Sequence, residues 1–154
     1  MKSNKIALTA LLLWVITIAV FAWFFVRGNT TAGTDNRTAI VLQSGEREMV
    51  LSEMRSLLSA VQGILDAANN GDAKRIAQLS RSVGTAMAAD DTPSLMTKLP
   101  LAFKTLGMSL HRDMDEIADA ADGGKPVPEL LKMAANTLTK CVACHAAWQI
   151  KAGN

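Results

Sequence analysis

The sequence predicts an all-α fold, an antiparallel four-helix bundle preceded by a single transmembrane helix. Three observations predict it. Residues 6–26 are an unbroken apolar run; beyond Ser44, apolar residues recur three and four apart in four successive segments; and no segment alternates with period two for long enough to form a strand. The expected organisation is an anchor over residues 1–27, a flexible tether over 28–44 and a helical domain over 45–154.

The anchor, IALTALLLWVITIAVFAWFFV, contains no charge, Gly or Pro. Its 21 residues span about 31 Å as a helix, close to the hydrocarbon thickness of a bilayer. A cleaved signal peptide is the alternative. Against it stand the length of the run, the bulk of Phe21, Trp23, Phe24 and Phe25, and the weak small-residue site Thr30-Thr31-Ala32. Lys2 and Lys5 precede the run and Arg27 follows it. The positive-inside rule then places the N-terminus in the cytoplasm and the rest outside, which for a bacterial inner membrane is the periplasm. The chain has 16 Lys and Arg against 14 Asp and Glu. Three of those cations belong to the anchor, so the remainder is near neutral and offers no broad basic surface for nucleic acid.

Residues 28–44, GNTTAGTDNRTAIVLQS, are rich in Gly, Thr and polar residues and are expected to be the tether. The first bundle helix follows, with Leu51, Met54, Leu58, Val61, Leu65 and Ala68 as its stripe and Asn69-Asn70-Gly71 as its end. Asp72 is a good N-cap for a second helix over about 73–89, which should bury Ile76, Leu79, Val83 and Met87 before Asp90, Asp91 and Pro93 break it. A third covers about 95–121, with Pro100 delaying its regular start and Leu99, Phe103, Leu106, Leu110, Met114, Ile117 and Ala121 as its stripe. Gly123, Gly124, Pro126 and Pro128 make the turn into a fourth, expected from Glu129 to Ile150, whose apolar face carries Leu131, Ala134, Leu138, Cys141, His145 and Trp148. Short connections between four such helices argue for up-down-up-down packing. Phe103 and Trp148 are the only aromatic residues beyond the anchor, so the core is mainly Leu, Met and Ala, which could pack by itself or leave room for a large planar cofactor.

The chain's only cysteines, Cys141 and Cys144, are followed directly by His145 in KCVACHAAW. Three chemistries use such spacing. A structural zinc site needs four ligands, and His111 is the only further soft one. Adjacent Cys144 and His145 also diverge by about 100° on a helix. A thiol-disulfide pair belongs at a helix N-terminus after a strand, where the dipole lowers the thiol pKa, and this pair sits deep in a helix. Covalent haem attachment fits best: two thiols add to two vinyl groups, and the following His is an axial ligand.

A helical bundle with C-V-A-C-H almost at its C-terminus resembles the class II c-type cytochromes, the cytochrome c-prime group. The likeness covers about residues 45–150. It implies one covalent haem c at one end of a four-helix bundle, with thioethers at Cys141 and Cys144 and His145 as the proximal iron ligand. It also implies that Arg47 precedes the distal position by four residues and pairs with a propionate, a solvated surface Arg being the alternative, and that the distal position is Leu51. In that group the distal place holds Met in low-spin members and an apolar blocker in five-coordinate ones. After the motif the group has an aromatic and then a basic residue; here Trp148 keeps the first and Gln149 replaces the second. Such bundles often pair through helices, so the resemblance allows a homodimer.

Antiparallel geometry gives the same levels. His145 lies 21 residues past Gly124, so it faces about Phe103 on the third helix and about residues 49–51 on the first. Met54 lies one turn deeper and is the alternative ligand on that stripe, with ordinary core packing as its other role. His111 lies about eight residues beyond the iron level, ~12 Å along the axis, and suits a partly exposed flank position or a propionate-side one better than ligation. The acidic run Asp113, Asp115, Glu116, Asp119 and Asp122 is expected to be a solvated face, with a docking patch for a basic partner as the alternative.

No hydrolytic or transfer constellation accompanies the motif, so the expected function is not enzymatic. It is a membrane-tethered electron carrier serving redox partner proteins. The alternative is a five-coordinate haem protein that binds nitric oxide or carbon monoxide behind Leu51. A thiol-disulfide protein without haem is the weaker third.

Overall fold

The structure is a computed structural model in which residues 2–89 and 92–153 are described. Asp90 and Asp91, expected to break the second helix, lie outside the described residues. Most of the chain is helical. The N-terminal helix α1 (Lys2–Arg27) is long and apolar enough over Asn4–Arg27 to cross a membrane, and none of that apolar window is buried.

The tether is not a loose segment. Gly28 turns the chain at φ 63°, the Asn29 N–H donates to the Lys98 carbonyl at 2.7 Å, and residues 30–42 form two strands. These are β1 (Thr30–Ala32) and β2 (Thr38–Leu42), paired antiparallel. A third strand, β3 (Trp148–Ala152), lies parallel to β2 from Thr38↔Trp148 to Leu42↔Ala152. The expected absence of strands is therefore corrected, as is the fourth helix, which ends at Ala147 rather than Ile150. Ala39, Ile40 and Leu42 are all buried, so β2 is covered on both faces and shows no alternation. Its parallel partner lies at the other end of the chain, beyond the reach of any local pattern.

Helix α2 (Ser44–Asn69) starts where the Glu46 carboxylate accepts from the Gln43 N–H at 3.0 Å. Asp72 caps α3 (Ala73–Ser82) by accepting from the Arg75 N–H at 2.9 Å, as expected. The expected single helix over 73–89 is broken at Val83-Gly84 and resumes as α4 (Thr85–Ala88). The break has a cause outside the segment. The Asp115 carboxylate accepts from both the N–H and the hydroxyl of Thr85, at 2.9 and 2.7 Å, and a side chain at position 84 would strike it. Thr85 also holds the Asp115 carboxyl below its ordinary pKa.

The third helix is likewise two. In α5 (Pro93–Lys98) the Thr92 hydroxyl accepts from the Leu95 N–H; Leu99 and Pro100 are extended, and α6 (Leu101–Asp122) follows. Pro100 has no N–H and sits at the cap of α6, where none is needed. Helix α7 (Val127–Ala147) returns after the Gly123–Pro126 turn.

Helix α3 packs on α2 and α6, and α7 packs on α6 and α2. Between them lies an apolar core including Ile64, Ile76, Met114, Ile117 and Leu130. A second, smaller core joins Ile40 and Leu42 of the sheet to Val50, Leu95 and Leu99, with Met54, Phe103 and Trp148 packed against it. The stripes of α3 and α6 are buried largely as expected. That of α2 is not: Val50, Ala60, Ile64 and Ala67 are the buried residues, whereas Leu58 and Leu65 are 70% and 49% exposed. On α7, Leu130, Ala134 and Thr137 are buried and His145 is exposed. Both helices are apolar on two neighbouring faces, and the sequence alone does not say which one meets the core.

Candidate cofactor site at one end of the helices

The second apolar face has a cavity in front of it. A cavity of about 560 Å³ lies among α2, α5, α6 and the last turns of α7, within the range of ordinary cofactor and ligand pockets. Leu51, Met54 and Leu58 of α2 form one wall; Phe103, Leu106 and Leu110 of α6 form another; Leu138, Cys141, Cys144 and His145 of α7 form a third. The stripe expected to fill the core of α2 thus lines this space instead. Gly107 faces open space, for a Cβ there would meet nothing within 4 Å.

The sheet backs one wall of the cavity through Phe103. Trp148, the first residue of β3, stands edge-on to Phe103 with ring centroids 5.7 Å apart and planes at 88°. Arg37, in the turn between β1 and β2, donates to the His145 carbonyl at 3.2 Å and lies 3.5 Å from the Trp148 carbonyl. Asp35 holds that guanidinium at 2.6 and 2.9 Å and also accepts from the Gln149 amide at 3.0 Å. Arg37 therefore places a cation on the unpaired carbonyls at the C-terminus of α7, beside the motif. Position 149, where the c-prime resemblance led one to expect a basic residue, is Gln, and a cation reaches the same helix end from a distant turn. Sequence spacing carried no signal for it.

The expected residues do not all meet. Cys141, Cys144, His145, Leu51, Phe103 and Met54 line one cavity; Arg47 does not. The first turn of α2 is held toward α5, where Lys98 bonds Glu46 at 2.5 Å and Val50 joins the small core. The cations on the cavity wall are instead Arg55, Lys104 and Lys140. Lys140 pairs with Asp113 at 2.6 Å, and Lys104 donates to the Met96 carbonyl at 3.1 Å, with burial lowering its pKa.

His111 is also corrected. It is no flank residue, being only 6% exposed and part of the cavity wall. Its Nδ1 lies 2.8 Å from the Val83 carbonyl and its Nε2 3.6 Å from Glu53.

The acidic run is mostly tied up between helices. Asp113 meets Lys140 and Thr137, Asp115 meets Thr85, and Asp119 and Asp122 both meet Arg81, at 2.9 and 2.7 Å. These contacts anchor α3, α4 and α7 to α6 and leave no unbroken acidic patch.

Both thiols are free and half-buried. Burial raises the pKa of each, and that of Cys144 reaches about 11, with Cys141 beside it as the lesser cause. A dithiol active in exchange needs the opposite shift. Among the described residues, no cluster of three or more His, Cys, Asp or Glu side chains is placed to hold a metal ion. The arrangement suits thiols directed into an apolar chamber with a histidine at its edge. Comparison with protein-family models, curated proteins and solved structures found no match to this chain.

Proposed function

We propose that this is a membrane-anchored c-type cytochrome of the class II kind, carrying one covalent haem c and serving in electron transfer. One observation carries the reading: Cys141, Cys144 and His145 open into the same large apolar cavity as Leu51, Met54 and Phe103, the residues that the c-prime resemblance and the helix registers set opposite the motif. The architecture belongs to the proposal: α2, α3, α6 and α7 packed in a closed ring correspond to an antiparallel four-helix bundle.

Residues of this chain fit the group. Cys141 and Cys144 would hold it through thioethers, His145 through its ring nitrogen, and Leu51, Phe103, Leu106 and Leu110 through apolar contact. Arg55, Lys104 and Lys140, each already bonded to another residue of the chain, would lend positive charge near its carboxylates where Arg47 does not. When bound, the group supplies reversible one-electron oxidation of its iron. The apolar walls would desolvate the face of the group turned toward them, and Arg37 fixes the end of the helix that carries His145. In a bacterium, α1 would hold the domain at the periplasmic face of the inner membrane, where redox partner proteins meet it.

A second reading, binding of nitric oxide or carbon monoxide, rests on Leu51. It lines the cavity and supplies no sixth ligand. Haem staining after denaturing electrophoresis tests the common premise. Covalent haem in the parent chain, lost when Cys141 and Cys144 are both changed to Ala, is the expected result. Colour that survives in the double variant would exclude attachment at these cysteines.

A further inference from the structure

The cavity lies at the end of the domain where the apolar helix enters. Ile6 to Val26 would span about 31 Å, so Phe25 falls at the outer limit of a bilayer's hydrocarbon. The Lys104 ammonium sits 4.0 Å from the centroid of the Phe25 ring, and Lys104 is also a cavity-wall residue. Three residues past the end of the span, the Asn29 N–H is bonded to the Lys98 carbonyl, and the Asn29 carbonyl accepts from the Val41 N–H at 2.9 Å. Gly28 is required at that joint: its φ is +63°, and a Cβ there would lie 2.6 Å from the Pro100 nitrogen. No slack chain separates the anchor from the domain. Because none of the α1 window is buried, the domain does not fold back along it.

We propose that the domain is seated on the outer lipid headgroup surface with its cavity end toward the membrane, and does not swing on a leash. The first turn of α6 then lies in the headgroup layer, about 5–8 Å deep on each side of the hydrocarbon. Leu101, 38% exposed, faces lipid there, and Lys104 bridges the Phe25 ring and the cavity wall. The opposite end, at the Gly123–Pro126 turn, is removed by the length of α6, about 33 Å for its 22 residues. The partner this surface fits is the bilayer itself, and the cavity with its occupant then lies beside the membrane. The inference rests on α1 as a retained span and not on the identity of the occupant.

The test uses the full chain in phosphatidylcholine–phosphatidylglycerol vesicles, with photoreactive p-benzoylphenylalanine replacing Leu101 or, at the far end, Lys125. Lipid adducts are counted by mass spectrometry after illumination. Several-fold more lipid adduct at position 101 than at 125 is expected, and a flexible Gly-Ser insertion between Arg27 and Gly28 should remove the excess. Equal labelling at both positions, no adduct at 101, or an excess that survives the insertion would overturn the seated orientation. Carbonate extraction of the same vesicles separates the causes: protein washed off the membrane means that α1 is no retained span, which also overturns the proposal.

Discussion

Arg37 and His145 are 108 residues apart in the chain, yet the guanidinium of the first donates to the carbonyl of the second at 3.2 Å. The contact ties the β1–β2 turn to the final turn of the motif helix. Asp35 orients Arg37 and raises its pKa by bonding it, so the cation is permanent at any physiological pH. Changing Arg37 to Ala should loosen the end of α7 while leaving the cysteines in place. Faster amide exchange over residues 146–150 is expected and, if the proposed haem is attached, an altered visible spectrum, with partial recovery in Arg37→Lys. Unchanged exchange would show that β2–β3 pairing alone holds this end.

Leu130 and Leu58 should respond differently to truncation. Leu130 is fully buried in the main core, and Leu130→Ala is expected to cost about 2–5 kcal/mol in urea unfolding. Leu58 is 70% exposed at the cavity edge, so Leu58→Ala should stay within about 0.5 kcal/mol of the parent when no haem is attached. Similar losses at both positions would mean that the α2 face lining the cavity is closed in solution.

Leu51→Met places a thioether on the cavity wall opposite α7. The oxidised protein is expected to move toward a low-spin, six-coordinate spectrum, and an unaltered spectrum would show that Leu51 is not distal. His111→Ala should leave the spin state unchanged, because the His111 ring is engaged by Val83 and Glu53. A low-to-high-spin change in that variant would make His111 the sixth ligand.

The thiols predict an alkaline transition in chain made without haem attachment. In the folded protein Cys144 is raised from 9.0 to about 11, so it stays protonated there while the unfolded chain has already released its proton. Folding therefore binds the proton, and stability should fall as pH climbs from about 9 toward 11. Iodoacetamide should react slowly with Cys144 at pH 8 and faster once urea unfolds the chain. Rapid reaction of the folded protein at pH 8 would restore the thiol-disulfide reading.

Periodicity identified the cavity without naming it as one. Leu51, Met54 and Leu58 on α2, and Leu138, Cys141 and His145 on α7, were legible as apolar or motif-bearing faces, and each lines the chamber. What spacing cannot convey is whether a face meets another helix or a space. The α3–α4 break depends on Asp115, some thirty residues ahead, and the sheet depends on pairing the two ends of the domain. Neither leaves a local pattern. Arg37 was hidden for the same reason, within a stretch whose polar composition reads as linker. The Leu99-Pro100 interruption was legible, because Pro removes a donor wherever it stands.

The most direct test of the account is an optical absorption spectrum of the full chain, oxidised and then reduced, made in cells able to attach haem c. The account predicts haem bands that remain with the polypeptide through acid–acetone extraction; a sharp α-band on reduction would mark two strong axial ligands, and a broad one an open site behind Leu51. A chain without haem absorption under those conditions would contradict it, and KCVACHAAW would then be a half-buried dithiol beside an apolar chamber of another use.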